Sequence, residues 1–303
     1  MTALRPAEAA RASLERAPLL GLGEIHWCPG VLDTFASLIE SPELAGAFDD
    51  IVVEFGACQH QALMDRYIAG EALGEGDIAC VWRDTLYFLL WSAPVYARFF
   101  ARMRALNRRR RPGERLRVVL AEPPVAWEHM TDAGFRALHH RREALYVRCI
   151  ERQVLAPGRR ALLIFGLRHL VCRPGAPSSL AERLRARSPG AIELVHPWHV
   201  EKRVYSDDCL PSRMPHNRWV ALSSAPGAAR PPIDYLWHFA PPLRELSLPT
   251  HLFDDRMWLC RVVRRLEKLG PGHVERARAL MSSAQRERFD ALSVSGSGPP
   301  AGR

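Results

Sequence analysis

The sequence predicts an α/β fold: a mostly parallel sheet with helices on both faces and a site at the carboxyl ends of the strands. Three observations carry that prediction. Short apolar runs alternate with longer stretches of helical periodicity, the pattern of βαβ units. The runs are continuously apolar, as strands covered on both sides are, and do not alternate in and out. Four of them end in a group able to move a proton or hold a metal: Glu24 and His26, Glu54, Glu122, and His169.

Taken in order, the alanine-rich stretch Pro6 to Arg16 favours a helix, and Leu19–Leu22 is the first strand. Apolar residues at Val31, Leu32, Phe35, Leu38 and Ile39 trace one face of a helix from Pro29 to Ile39. A turn at Asp49–Asp50 opens the second strand, Ile51 to Phe55. A helix from Ala57 to Ile68 then stops at Gly70, a residue suited to a left-handed C-cap. The aromatic segment from Gly74 to Asn107 reads as two helices broken near Pro94, with Tyr96, Phe99, Phe100 and Met103 as a core stripe.

Leu116 to Ala121 is the third strand, Thr131 to Leu155 one long helix, and Ala161 to Phe165 the fourth strand. A short helix over Leu180–Ala186 leads to a fifth strand, Ala191–Val195. Trp219–Leu222 and Ile233–Phe239 are expected as strands at the sheet edge. Asp254–Leu269 and His273–Leu292 are expected as two terminal helices. The domain reading is an α/β catalytic-like unit over 1–240, a helical extension over 241–293, and a disordered tail over 294–303, which is poor in apolar residues.

A chain of 303 residues, 48% hydrophobic and 25% charged, has the composition of a globular protein. The net charge of +9 raises nucleic acid as a partner, but nearly all of it is arginine spread along the chain. The clusters Arg108–Arg111 and Arg159–Arg160 fall in polar loops just before strands, so no nucleic-acid partner is expected. No run is long enough to cross a bilayer, and the N-terminal stretch has acids where a signal peptide has an apolar core. No membrane partner and a cytoplasmic location are therefore the expectations. Seven scattered cysteines without C-x-x-C spacing argue against a disulfide framework or a cysteine zinc site.

Chemistry concentrates at the strand ends. His26 and His169 each close a G-x-x-H tetrad, Gly23–His26 and Gly166–His169, and glycine there lets the backbone approach a ligand closely. Carboxylates at Glu24 and Glu54 suit metal binding, general-base work, or fixing a histidine tautomer. In an open parallel sheet such residues converge at the carboxyl edge even when distant in sequence. Glu122, Arg168, Arg66 and Asp84 are supporting candidates. A G-x-S-x-G elbow, a P-loop, G-x-G-x-x-G and H-E-x-x-H are all missing, so none of those particular sites is expected, and a nucleotide-binding oxidoreductase is disfavoured.

At Gly23–Glu24–Ile25–His26, at Ile51–Gly56 (IVVEFG) and at Gly166–His169, the sequence resembles the erythromycin esterase-like, ChaN and Tiki superfamily. Met64–Gly70, Trp82–Thr85, Val95–Asn107 and Leu116–Pro124 are similar to an uncharacterised bacterial branch of it. The resemblance implies a parallel α/β core with a site built from Glu24, His26, Glu54 and His169. Within that superfamily erythromycin esterases open a macrolide lactone with histidine as base, Tiki-like members are metal-dependent proteases, and ChaN-like members bind haem. Two departures stand out: bulky Trp27 and Cys28 directly after His26, and Glu122 where the branch carries an aspartate.

The expectation is thus a hydrolase of an ester, lactone or amide, acting on a small-molecule or peptide substrate. His26 would be the base, Glu54 or Glu24 its orienter, and His169 the group that polarises the carbonyl. A divalent zinc, manganese or iron ion held by Glu24, His26, Glu54 and His169 is the cofactor this set would suit. The alternative is a haem- or metal-binding protein without turnover, with the aromatic segment Trp82–Phe100 lining a haem slot.

Overall fold

The computed structural model describes residues 3–171, 178–198, 216–222, 233–238 and 248–295. Its centre is an eight-stranded, mostly parallel sheet in the order β1-β7-β8-β6-β2-β5-β3-β4. The strands are β1 (Ala3–Leu4), β2 (Leu19–Glu24), β3 (Asp50–Ala57), β4 (Arg117–Glu122), β5 (Ala161–Gly166), β6 (Ile192–Trp198), β7 (Arg218–Ala221) and β8 (Tyr235–His238). Pairing is parallel from β4 through β8, and among the described residues only β7 with β8 and β1 with β7 run antiparallel. β7 is not at the sheet edge as expected, because the unpredicted two-residue β1 pairs outside it.

The helices are α1 (Pro6–Arg16), α2 (Pro29–Ile39), α3 (Gln61–Ala69), α4 (Glu75–Ile78), α5 (Cys80–Arg83), α6 (Pro94–Arg109), α7 (Asp132–Ile150), α8 (Leu167–Leu170), α9 (Leu180–Arg187), α10 (Arg256–Leu269), α11 (Pro271–Arg278) and α12 (Ser283–Ser295). Gly70 caps α3 in the left-handed conformation, with φ of 104°. Two expectations need correction. The stretch before Pro94 does not form one helix: it breaks into α4, α5 and a 3₁₀ turn over Leu90–Ser92. Its aromatic side chains are buried in several directions, so core packing overrides helical periodicity there. The last helix is also interrupted, because Ser282 and Gln285 cap a new start: Gln285 N–H donates to Ser282 Oγ at 3.3 Å, and Ser282 N–H to Gln285 Oε1 at 2.9 Å. That second helix continues through residues 294–295, where the tail was expected to begin.

Alternate strand residues enter two separate cores. Leu20, Leu22, Ile51, Val53, Leu162 and Ile164 join Phe35 of α2, Phe99 and Phe100 of α6, and Trp258 and Val262 of α10. Leu19, Val52, Val119, Leu163 and Phe165 join Tyr146, Val147 and Ile150 of α7 and Leu184 of α9. Each buried aliphatic or aromatic side chain contributes roughly 1.5–3 kcal/mol over its exposed state, so strand register is strongly fixed. Slipping any of these strands by one residue would exchange its two faces.

Candidate active site

β2, β5, β3 and β4 are neighbours and parallel, so their carboxyl ends lie along one edge of the sheet. Each supplies one expected residue: Glu24 ends β2, His169 stands on α8 directly after β5, Glu54 lies in β3, and Glu122 ends β4. The β3–β4 pairing shifts register between Val53 and Ala57, the bulge that holds Glu54.

Glu54 is the hub. Its Oε2 accepts from Gly166 N–H at 2.6 Å, while its Oε1 receives His169 Nε2 at 3.0 Å and Arg142 Nη2 at 2.9 Å. Burial alone would raise the Glu54 pKa, but His169, then His26 and Arg142, hold it well below the usual carboxylate range. The same Arg142 nitrogen donates to Glu122 Oε2 at 3.0 Å, and Tyr146 O–H donates to that oxygen too. Burial pushes the Glu122 carboxyl up in spite of Arg142, and Glu54 adds to that rise.

The two motif histidines end differently. His169 is clamped on both nitrogens, Nε2 on Glu54 and Nδ1 on Glu143. Burial disfavours its charge, yet Glu54 and Glu143 overcome this and raise its pKa to about 10. His26 donates from Nδ1 to Glu24 Oε2, and Tyr96 O–H donates to Glu24 Oε1 at 3.1 Å. Here too burial lowers and Glu24 raises, with a net upward shift. His26 is the most exposed of the expected four, its side chain 27% accessible against 16% for His169 and 2% for Glu24 and Glu54. Its Nε2 faces the β5 end. A Cβ added at Gly166 would stand 2.8 Å from that nitrogen and 2.5 Å from Cε1, so the tetrad needs glycine for close approach.

Trp27, next in sequence, adopts a left-handed backbone with φ of 59°, an outlier for a bulky residue. Its indole N–H donates to the Leu90 carbonyl at 2.6 Å. Through Trp27 and Tyr87 the cluster borders an apolar cavity of about 1000 Å³ between the 86–90 segment, α7 and the α10–α11 corner. Tyr87 lies face-on to the Arg142 guanidinium at 4.6 Å, and its hydroxyl is 2.7 Å from His139 Nδ1.

Other expected residues go elsewhere. Arg66 pairs with Glu71 through its Nε at 2.6 Å, and Asp84 pairs with Arg265 at 2.7 Å and His60 at 3.0 Å. Neither is bonded to the cluster: Arg66 is held by Glu71 just past the end of α3, and Asp84, the residue after α5, is held by α10 and by the turn before α3. Arg168 is exposed on α8, with its charge felt by Tyr87. The aromatic segment is divided: Trp82, Trp91, Tyr96, Phe99 and Phe100 are core, and only Tyr87 and Phe88 among its aromatics reach the cavity. Sequence reasoning missed Arg142, Glu143 and Tyr146 of α7. Their signal was spacing, since positions 139, 142, 143 and 146 share one helical face, a face unusually polar for a helix covering a sheet.

The proposed metal donors do not fit an ion as arranged. Both His169 nitrogens and both Glu54 oxygens are committed to other protein groups, and a histidine titrating near 10 is protonated when a ligand must be neutral. Among the described residues, no group of three or more His, Cys, Asp or Glu is disposed to hold a metal. No helix among them is long and apolar enough to cross a membrane.

No family model and no curated protein matches the chain. Two solved structures are similar. The type III effector HopBA1 has a TM-score of 0.49 at 11% identity, over 79% of this chain and 96% of its own. ChaN of Campylobacter jejuni, a structure of cofacial haem binding, has a TM-score of 0.44 at 13% identity, over 66% of this chain and 92% of its own.

Proposed function

We propose that the chain is a hydrolase of an ester, lactone or amide in a small-molecule or peptide substrate. Within this proposal it is a cytoplasmic member of the superfamily it resembles, working at the carboxyl edge of a sheet covered by helices on both faces. One observation carries the reading. The partly exposed His26 imidazole is held by Glu24 through Nδ1, which leaves Nε2 as the free base, while Glu54, Glu122, Glu143, Arg142 and His169 pair among themselves. That is the base-plus-orienter arrangement of acyl-transfer sites.

In the step it supports, Nε2 of neutral His26 removes a proton from water as the water oxygen bonds to the carbonyl carbon. The C–O or C–N bond then breaks, and the leaving group takes the proton back from Nε2. Glu24 stabilises the imidazolium between the two transfers. His169 serves Glu54 and not the carbonyl, since both its nitrogens are engaged, and Arg142 is a second positioning residue for Glu54. The test is a panel of esters, lactones and amides compared across wild type, His26→Ala and Glu54→Gln. General-base loss should lower kcat by about 10²–10⁴ in His26→Ala. Turnover unchanged in both variants would sink the assignment.

A second reading, haem bound without turnover, is favoured by the cavity wall. His139 reaches it with Nδ1 on the Tyr87 hydroxyl, so its Nε2 would be the atom to hold the iron. Burial and the neighbouring Arg142 lower its pKa, so this imidazole is neutral, as an iron ligand must be. A Soret band that appears on haem titration and is lost in His139→Ala would support it.

A further inference from the structure

The cavity beside the cluster has a chemical character of its own. Its walls are mostly apolar, from Leu86, Phe88, Leu89, Phe135, Leu269 and Leu280, and at about 1000 Å³ it is large for a small-molecule site. Its charges are unbalanced. Three cations, Arg136, Lys268 and Arg276, stand against one carboxylate, Asp132. That carboxylate is already engaged, by Arg136 and by His273 Nε2 at 3.4 Å. Lys268 donates to the carbonyls of Trp127 and Glu128 at 3.2 and 2.8 Å, so its charge meets no carboxylate. Arg276 has no ion-pair partner among the described residues. The two wall histidines add no charge, because burial lowers both of their pKa values.

Two side chains join this space to the reacting end. Trp27 follows the proposed base directly, has a left-handed backbone and forms part of the wall. Tyr87 lines the cavity and also stacks on the Arg142 guanidinium at 4.6 Å. A substrate whose carbonyl reaches His26 would therefore extend its remaining bulk past Trp27 into the cavity.

Building on the hydrolase reading, we infer that this cavity binds the apolar body of the substrate and that the substrate carries an anionic group at its far end, paired with Arg276 and Lys268. The substrate class is a bulky apolar ester, lactone or amide that also bears a carboxylate or comparable monoanion. Apolar burial supplies the affinity, and charge complementarity selects the anion over its neutral analogue.

Binding can be read without turnover, using two fluorescent probes of the same shape, 8-anilinonaphthalene-1-sulfonate and the neutral N-phenyl-1-naphthylamine. Full-length wild type should bind both, the sulfonate more tightly. Arg276→Glu, a surface change, should weaken the sulfonate by about tenfold and leave the neutral probe within twofold. Leu280→Arg should weaken the neutral probe, with circular dichroism checking that the variant is folded. His26→Ala should alter neither affinity. No binding of either probe, or sulfonate binding that Arg276→Glu leaves unchanged, would overturn the inference. The hydrolase reading fails separately: probes that bind as expected beside a substrate panel without turnover would remove catalysis and keep the pocket.

Discussion

His26 and His169 close the same four-residue motif on adjacent strands, yet their surroundings give them opposite tasks. His169 is held between two carboxylates with both nitrogens occupied, and its charge locks Glu54. His26 has one carboxylate partner, one free nitrogen and a partly exposed ring. The lesson is that a motif delivers an imidazole to an edge, and the neighbouring helices decide what it becomes. For His169 the deciding helix is α7, which brings Glu143 and Arg142. For His26 it is α6, which brings only the Tyr96 hydroxyl.

Removing the two glutamates should expose that contrast most strongly. Glu54→Ala leaves the His169 and Arg142 charges buried without their shared partner, and breaking a buried pair this way costs about 3–5 kcal/mol. Glu24→Ala strands only His26, which can lose its proton and reach solvent, plus the Tyr96 hydroxyl. The expected cost is about 1–3 kcal/mol, with most of the damage in kcat. Denaturant titration of both variants measures the difference. Equal losses would mean that the two histidines are held alike.

The pH responses should also separate. The His26 pKa is raised, and a base must be neutral, so kcat should climb with pH through a midpoint above the ordinary imidazole value of about 6.5. The His169 contribution runs the other way. Its folded pKa is raised to about 10, so its stabilisation is whole below the unfolded value and is lost as pH rises toward 10. Chemical denaturation of wild type and His169→Gln should therefore converge as pH rises across that window, while the activity limb stays with His26.

Much of this was legible in the sequence. The four strand ends carry Glu24, His26, Glu54, Glu122 and His169 because parallel strands share a direction, and that rule needs no side-chain detail. α1 and α2 have the bounds that periodicity and their leading prolines indicate. What stayed hidden was set by packing. Arg142, Glu143 and Tyr146 look like ordinary polar positions of a long helix until α7 is laid across β4 and β5. The segment before Pro94 looks helical because its aromatic residues recur at helical intervals, but they pack into α6, α10 and the sheet from separate short turns. Arg66 and Asp84 seemed useful as charges in packed helices, but Arg66 is claimed by nearby Glu71 and Asp84 by Arg265 of the distant α10, a partner visible only in the fold.

Trp27 gives the finest test, because it stands where the motif of His26 hands over to the cavity. Its φ of 59° suits glycine and strains any residue with a Cβ, by about 1–2 kcal/mol. Its indole is buried at 5% exposure and bonded to Leu90, so truncation to either alanine or glycine loses about 3–5 kcal/mol of packing. The backbone term then separates the two. Trp27→Gly should be more stable than Trp27→Ala by about 1 kcal/mol, the reverse of the usual order for these residues in regular structure. Thermal denaturation of the pair decides it. Alanine equal to or above glycine would mean that Trp27 is not strained, and that its position beside His26 owes nothing to the backbone.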